Sequence, residues 1–159
     1  MNIFYLDSDP KICAQYHCNK HTVKMPVEYA QILSAAHRLI DNNDNPILYK
    51  LTHKNHPSVI WARTSKENYE WLYFLFVELC KEYTYRYGKT HLTEKKLKDV
   101  LKYVPKNIES LGFTEMPQCM PDHCKIENDS ISAYRNYYQK EKLNILRYTN
   151  REKPYWLTN

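Results

Sequence analysis

Two imidazoles, one amine and one carboxylate recur at regular spacing near the start of the sequence. They are separated by four, three and four positions, as His17, His21, Lys24 and Glu28. At about 100° per residue, a helix would place these side chains within an arc of roughly 60°. A helix that faces an ordinary core would carry aliphatic residues there. The pattern therefore predicts a polar face or a pocket, in which an amine and a carboxylate can exchange protons.

Three interpretations of these four residues remain open. The first is a solvated helix face, on which Lys24 and Glu28 pair across one turn. The second is a transition-metal site through His17 and His21, which needs a third ligand and is disfavoured by the charge of Lys24. The third is a ligand pocket beside Pro26, because a proline inside a helix leaves one backbone carbonyl without its partner. We predict the pocket, with no metal and no cofactor, and assign catalytic roles to Lys24, Glu28 and His17 and a ligand-binding role to His21.

Two further segments carry clustered basic residues that suit phosphate oxygens. The first is expected to be a loop that runs into an aromatic stacking plane and an arginine fork; it contains Lys50, His53, Lys54, His56, Trp61 and Arg63. The second is the C-terminal tail, in which basic and aromatic residues alternate; its cations are Arg147, Arg151 and Lys153. In each case the alternative is an exposed basic segment that binds nothing.

The composition favours a helical protein with a polyanionic partner. The chain has 159 residues, a net charge of +5 and two glycines. So few glycines disfavour the tight hairpins of an all-β fold and leave no glycine-rich phosphate loop. The five cysteines follow no regular framework, and the sequence shows no signal peptide and no apolar run of about 18 residues. These features predict a reduced cytoplasmic protein that does not lie in a membrane. No obligate protein partner is expected. Cys119 and Cys124 flank His123, but no CxxC pair supports a structural zinc ion.

Hydrophobic periodicity predicts one compact all-α domain over residues 1–159, with four or five helices. The first helix should begin near Pro10 or Lys11 and be kinked or divided at Pro26. A long loop is expected over residues 42–63, followed by a strongly periodic central helix that ends at Gly88. The remaining elements are a short helix that ends before Pro105, an irregular crossing over residues 105–129 and a last helix over residues 130–148.

The order of these features resembles the pyrimidine-dimer DNA glycosylase/AP lyases of T-even phages. Four stretches in the same order carry the resemblance: QYHCNKHTVKMP, HKNHPSVIWA, PQ before a last helix with SI near its start, and the terminal EKPYWL. The resemblance implies a single all-α domain that acts on DNA in the cytoplasm of an infected bacterial cell. It also implies cleavage of an N-glycosidic bond through an imine formed by an amine nucleophile.

The catalytic residues of that family are only partly matched. The resemblance implies that a small second residue, exposed by removal of the initiator methionine, carries the amine that attacks the sugar C1′. Here the second residue is Asn2, so Met1 should be retained, with its amine one residue out of place. When the family's kink proline is aligned with Pro26, Lys24 stands where the family has its catalytic glutamate, and Glu28 lies one turn beyond. Lys24 is therefore the predicted amine nucleophile, with Glu28 as the proton carrier.

Two functions follow from this partial match. One is a DNA N-glycosylase/AP lyase. The alternative is a catalytically inactive relative that binds a nucleotide or a nucleotide-derived signal in the same pocket, as a phage counter-defence protein would. A structural DNA-binding protein without pocket chemistry is a third possibility.

Overall fold

The computed structural model describes residues 1–158, and the regular elements of these residues are six α-helices and two short 3-10 turns. The helices are α1 (Pro10–Tyr16), α2 (Asn19–Asp41), α3 (Pro57–Thr64), α4 (Lys66–Tyr87), α5 (Leu92–Leu101) and α6 (Ser130–Glu141). The 3-10 turns are Asp122–Cys124 and Leu143–Ile145. The all-α class is confirmed. The prediction of four or five helices was too low, because the first helix is divided and a further helix lies inside the expected loop.

Helix α4 is the central element, as its periodicity predicts. It packs against α1, α2, α3 and α5, and its fully buried side chains include Tyr69, Leu72, Phe76 and Leu79. It ends at Gly88, which has a φ of 70°, a left-handed conformation that glycine adopts without strain from a Cβ atom. Within the described residues, no helix is both long enough and apolar enough to cross a membrane.

The first helix is interrupted at His17 and Cys18. Of the two forms predicted for Pro26, a kink or a division, the division does not occur. Helix α2 continues through Pro26. At the interruption, the N–H of Cys18 donates to the Tyr138 hydroxyl at 3.2 Å, and the next N–H donates to the Arg147 carbonyl at 2.8 Å. Both acceptors belong to the C-terminal part of the chain. Tertiary contacts therefore determine where the helix breaks.

Helix α3 occupies the end of the segment that was expected to be a loop. Pro57 stands at its first position, where the fixed φ of proline suits a helix and the missing N–H is not needed. The imidazole Nδ1 of His56 accepts a hydrogen bond from the Ser58 N–H at 3.1 Å and caps the helix. Histidine is not among the usual capping residues, which explains why this start was missed.

Truncation of Phe76 tests the central position of α4. Phe76 is 0% exposed, whereas Phe74 on the same helix is 55% exposed. Phe76→Ala should lower the free energy of unfolding by about 3–5 kcal/mol, measured by urea denaturation. Phe74→Ala is the matched control and should change it by less than about 0.5 kcal/mol. Equal losses in the two variants would show that α4 does not face the core as described.

Candidate active site

A small pocket of about 290 Å³ lies where the N-terminal segment meets α2. We call it the N-terminal pocket. Residues from the chain start, α2, the residue before α3, the crossing segment and the end of α6 form its wall. They are Met1, Asn2, Phe4, His21, Lys24, Met25, Glu28, His56, Cys119, Tyr137 and Lys142. Three of the four regularly spaced residues therefore meet here, as the pocket interpretation predicts.

A larger groove of about 820 Å³ runs beside His37 and Asp41 and between α4 and α5. Size alone would favour it as a ligand site. However, the N-terminal pocket brings an α-amine into contact with a carboxylate, and these are the two groups that covalent catalysis by an amine requires. We therefore place the candidate site in the smaller pocket.

Glu28 lies between two amines. Its Oε1 is 3.3 Å from the α-amine nitrogen of Met1, and its Oε2 is 3.6 Å from Nζ of Lys24. The side chains of Met1 and Glu28 are 3% and 12% exposed, whereas that of Lys24 is 66% exposed. Glu28 thus contacts the amine of a residue whose side chain is packed away and the amine of an exposed side chain, and its carboxylate can accept a proton from either.

Hydrogen bonds from distant parts of the chain hold the N-terminal segment in place. The side-chain amide of Asn2 donates to the Cys119 carbonyl at 2.9 Å and accepts from the Tyr134 hydroxyl at 3.0 Å. The N–H of Phe4 donates to the Tyr29 hydroxyl oxygen at 3.1 Å. Because these contacts fix the residues on the C-terminal side of Met1, they orient its amine toward Glu28 in advance.

His17 lies beneath the N-terminal pocket and does not line it. Its Nδ1 donates to the Cys13 carbonyl at 2.7 Å, so its Nε2 accepts from the Tyr29 hydroxyl at 2.7 Å. Burial lowers the pKa of His17 to about 4, and the ring is therefore neutral at pH 7. Tyr29 in turn receives the N–H of Phe4. His17 thus positions the N-terminal segment, and a catalytic role for it has no support from this geometry.

His21 and His56 line the pocket as neutral rings. His21 stacks on Phe4 with 4.0 Å between ring centroids, and its Nδ1 is 2.7 Å from the Tyr138 hydroxyl. Burial, helped by His17 and nearby lysines, lowers the pKa of His21 to about 3. Burial and then the N-terminal amine also lower the pKa of His56. Both imidazoles therefore offer hydrogen bonds rather than charge.

The other predicted residues of the basic segment are spread over the surface. Lys50, His53 and Lys54 are exposed. Lys50 lines a separate groove together with Lys96. His53 has a φ of 51°, and its Nδ1 is 2.7 Å from the Thr52 hydroxyl. These side chains extend the positive surface in front of α3 but do not enter the N-terminal pocket.

Trp61 and Arg63 lie on α3 in different environments. Trp61 is buried, donates from Nε1 to the Thr114 carbonyl at 3.0 Å, and contacts the rings of Trp71 and Phe113 edge to face. It is a core residue, so the predicted stacking plane is not available to a base. Arg63 is partly buried, its Nη1 has no hydrogen-bond partner within residues 1–158, and burial lowers its pKa.

One of the three predicted cations of the tail is part of an ion pair with a buried carboxylate, and the other two are exposed. Arg151 donates to both carboxylate oxygens of Glu82, at 3.0 and 2.8 Å, and its guanidinium lies 4.4 Å from the ring centroid of Tyr85. The hydrogen bonds to Glu82 raise the pKa of Arg151. Since this guanidinium is already paired, its predicted phosphate contact is not supported. Arg147 and Lys153 are exposed.

Sequence reasoning missed several residues of the pocket wall, above all Lys142 and Tyr137. They come together at the end of α6, where Nζ of Lys142 is 4.8 Å from the ring centroid of Tyr137. The sequence predicts a last helix that continues through Lys142. No local pattern therefore indicates that the helix ends before this residue or that its side chain lines a pocket. The amine of Met1 likewise had no predicted partner.

The described residues form an all-α fold in which an α-amine lies beside a carboxylate, and these are the groups that a nitrogen nucleophile and its proton acceptor require. A model of the family described as pyrimidine dimer DNA glycosylase matches residues 1–95, and the chain belongs to this family. The match confirms the resemblance and includes the pocket residues Met1, His21, Lys24, Glu28 and His56. No curated protein and no solved structure matches the chain.

Proposed function

We propose that the protein is a DNA N-glycosylase/AP lyase that uses the α-amine of Met1 as its nucleophile. The main support is the distance of 3.3 Å between this amine and Oε1 of Glu28. Both residues line the N-terminal pocket, and the Met1 side chain is almost fully buried. Membership in the pyrimidine dimer DNA glycosylase family supports DNA as the partner and a pyrimidine dimer as the substrate lesion.

In the proposed reaction, the unprotonated amine of Met1 forms a bond to C1′ while the bond from C1′ to the base breaks. The departing base takes up a proton from solvent water. Glu28 accepts a proton from the attacking nitrogen and delivers it to the ring oxygen of the sugar, which opens to an imine. The carboxylate regenerated in this step then removes a C2′ proton, and elimination of the 3′ phosphate cuts the strand.

Lys24 has a supporting role in this proposal. Its Nζ contacts the second oxygen of Glu28 at 3.6 Å and is largely exposed at the mouth of the pocket. Lysine amines are in general more basic than α-amines, so a smaller fraction is unprotonated at neutral pH. We therefore assign the nucleophile to Met1, and to Lys24 a contact with a DNA phosphate. The amine of Lys24 remains the second candidate nucleophile.

Borohydride trapping distinguishes the two amines. The probes are duplexes that contain a pyrimidine dimer or an abasic site, and the proteins are the unmodified chain, Lys24→Arg and a variant with two residues added before Met1. Intact mass should first establish that Met1 is retained. Lys24→Arg removes one imine-forming amine but leaves the amine of Met1 unchanged. This variant should therefore keep the trapped adduct. The extended variant should lose the adduct, because its amine is displaced from Glu28.

Loss of the adduct in Lys24→Arg, with its retention in the extended variant, would assign the nucleophile to Lys24. Absence of an adduct in all three proteins, together with tight nucleotide binding by calorimetry, would favour the alternative function, an inactive relative that binds a nucleotide. The charges of the pocket are compatible with that alternative, because Met1, Lys24 and Lys142 bring three amines to the wall that carries the Glu28 carboxylate. The result therefore separates catalysis from binding.

We infer that exposed cations around the pocket hold the DNA backbone, with Lys142 and Lys24 nearest to the reacting sugar. Each phosphate contact should contribute about 0.9 to the slope of log affinity against log salt for duplex DNA. Lys142→Gln should therefore reduce this slope by about 0.9, measured by fluorescence anisotropy. Lys81→Gln is the control, because Lys81 lines a separate groove beside Phe74 and Val77 of α4. An unchanged slope for Lys142→Gln would remove Lys142 from the DNA contact.

The more distant predicted cations complete the proposed DNA face. They are Lys50, His53, Lys54, Arg63, Arg147 and Lys153. The five cysteines are free, which agrees with a reducing compartment. We propose, as the family resemblance implies, that the protein acts in the cytoplasm of a phage-infected bacterium.

A further inference from the structure

We propose that His123, Cys124 and Glu141 form a binding site for a divalent cation of the zinc type, outside the N-terminal pocket. His123 Nε2 contacts Glu141 Oε1 directly. One ligand atom from each of the three residues lies within 4.8 Å of the other two. An imidazole nitrogen, a thiolate sulfur and a carboxylate oxygen are thus gathered at one point, where the 3-10 turn Asp122–Cys124 meets the end of α6.

The environment of Cys124 differs from that of the other buried cysteines. Cys124 is fully buried but does not belong to the main apolar cluster, which includes Cys13 and Cys18. The Cys13 thiol donates to the Phe4 carbonyl at 3.2 Å, and Sγ of Cys18 is 3.8 Å from the Tyr138 hydroxyl. Within residues 1–158, the Cys124 thiol has no such partner. A bound cation would supply one.

The ligands are held in place by contacts from α6 to the 3-10 turn. Nζ of Lys140 donates to the His123 carbonyl at 3.1 Å, and Nδ2 of Asn136 donates to the Cys124 carbonyl at 3.4 Å. The turn therefore rests on the same helix that carries Glu141. Because both ligand-bearing elements are already joined, a metal ion would need only small side-chain movements to be bound by all three residues.

The chemistry of the three ligands selects the kind of cation. Zn²⁺ accepts nitrogen, sulfur and oxygen ligands in a tetrahedral arrangement, and three protein ligands leave a fourth position for water. Mg²⁺ and Ca²⁺ prefer oxygen ligands throughout, so a thiolate and an imidazole select against them. Binding the cation would replace the thiol proton of Cys124, which would be released to solvent.

The site has a structural consequence for the N-terminal pocket. Glu141 is the last residue of α6, and Lys142 directly after it lines the pocket. A cation that joins Glu141 to the 3-10 turn would fix the end of α6. It would thereby also fix the backbone position of Lys142. The cation site itself does not depend on the proposed glycosylase activity.

The test uses the full chain without an affinity tag, freed of metal by a chelator and titrated with Co²⁺ and with Zn²⁺. The expected result is one cation per chain by calorimetry and a thiolate-to-Co²⁺ charge-transfer band in the near ultraviolet. Cys124→Ser should abolish the band. His123→Ala and Glu141→Gln should each weaken binding by at least about 10- to 100-fold, because even the loss of a residue that only supports a ligand has that effect.

Two controls keep the result specific. Cys119→Ser and His56→Ala change the thiol and an imidazole that line the N-terminal pocket, and both should retain the band. His123 and Glu141 are exposed, so the metal-free variants should unfold at the same temperature as the unmodified chain. The proposal would be overturned by an absence of Co²⁺ and Zn²⁺ binding, by a band that persists in Cys124→Ser, or by one that is lost in Cys119→Ser.

Discussion

Replacing Glu28 by glutamine should lower the rate of base release and strand cleavage by about 10²- to 10⁴-fold. The amide has nearly the same size, but it cannot accept the proton of the Met1 amine, 3.3 Å away, or deliver one to the sugar. The measurement is single-turnover cleavage of a duplex that contains one pyrimidine dimer. Binding of the same duplex should be retained or tightened, because the variant removes a negative charge from the pocket that we propose to face the DNA phosphates.

The matched control is Glu70→Gln, because Glu70 lines the larger groove beside His37 and Asp41. This variant should cleave at the rate of the unmodified chain. Loss of cleavage in Glu70→Gln, with normal cleavage in Glu28→Gln, would move the active site to the larger groove. The pair of variants therefore tests the choice between the two cavities as well as the role of Glu28.

Removal of the Glu82 carboxylate should lower stability as strongly as truncation of the core residue Phe76. Glu82 is 4% exposed and accepts from Nε of Arg86 at 2.8 Å and from Arg151 at 2.8 Å. Arg86 is also buried and is further held by the side chain of Asn19 and the carbonyl of Gln15. Glu82→Ala leaves two guanidinium groups without their counter-charge. It should therefore lower the free energy of unfolding by about 3–5 kcal/mol, measured by urea denaturation.

Glu78→Ala on the same helix is the control for Glu82→Ala. Its carboxylate pairs with Lys81, whose side chain is 62% exposed, so the change should cost less than about 1 kcal/mol. Arg151→Ala should also lower stability while leaving the salt dependence of DNA binding unchanged. A reduced salt slope without loss of stability would restore the phosphate contact that the sequence predicted for Arg151.

The sequence predicts those parts of the fold that local patterns determine. The helical repeat of Tyr69, Leu72 and Phe76 identifies α4, and Gly88 marks its end because a left-handed residue is needed there. Pro26 predicts a kink or a division, and of these the division does not occur, since α2 continues through it. The actual interruption depends on the Tyr138 hydroxyl, which is 120 positions from Cys18 along the chain. No local pattern contains that information.

The same distinction applies to the candidate site. The spacing of Lys24 and Glu28 predicts that both residues lie on one helix face, because four residues in a helix make slightly more than one turn, and the two side chains line one pocket. The partner of Glu28 that matters most in our account is the Met1 amine, and only tertiary folding brings it there. The alternation of basic and aromatic residues around Arg151 was ambiguous for a similar reason. Its carboxylate partner, Glu82, lies 69 positions away.

The most direct test of the central claim is to identify the atom that becomes attached to the sugar. The protein would be trapped with borohydride on a duplex that contains an abasic site, digested, and mapped by tandem mass spectrometry. We predict that the sugar remnant is found on the N-terminal peptide, at the α-nitrogen of Met1. A remnant on Lys24 or on another lysine, or no remnant on any peptide, would contradict the account.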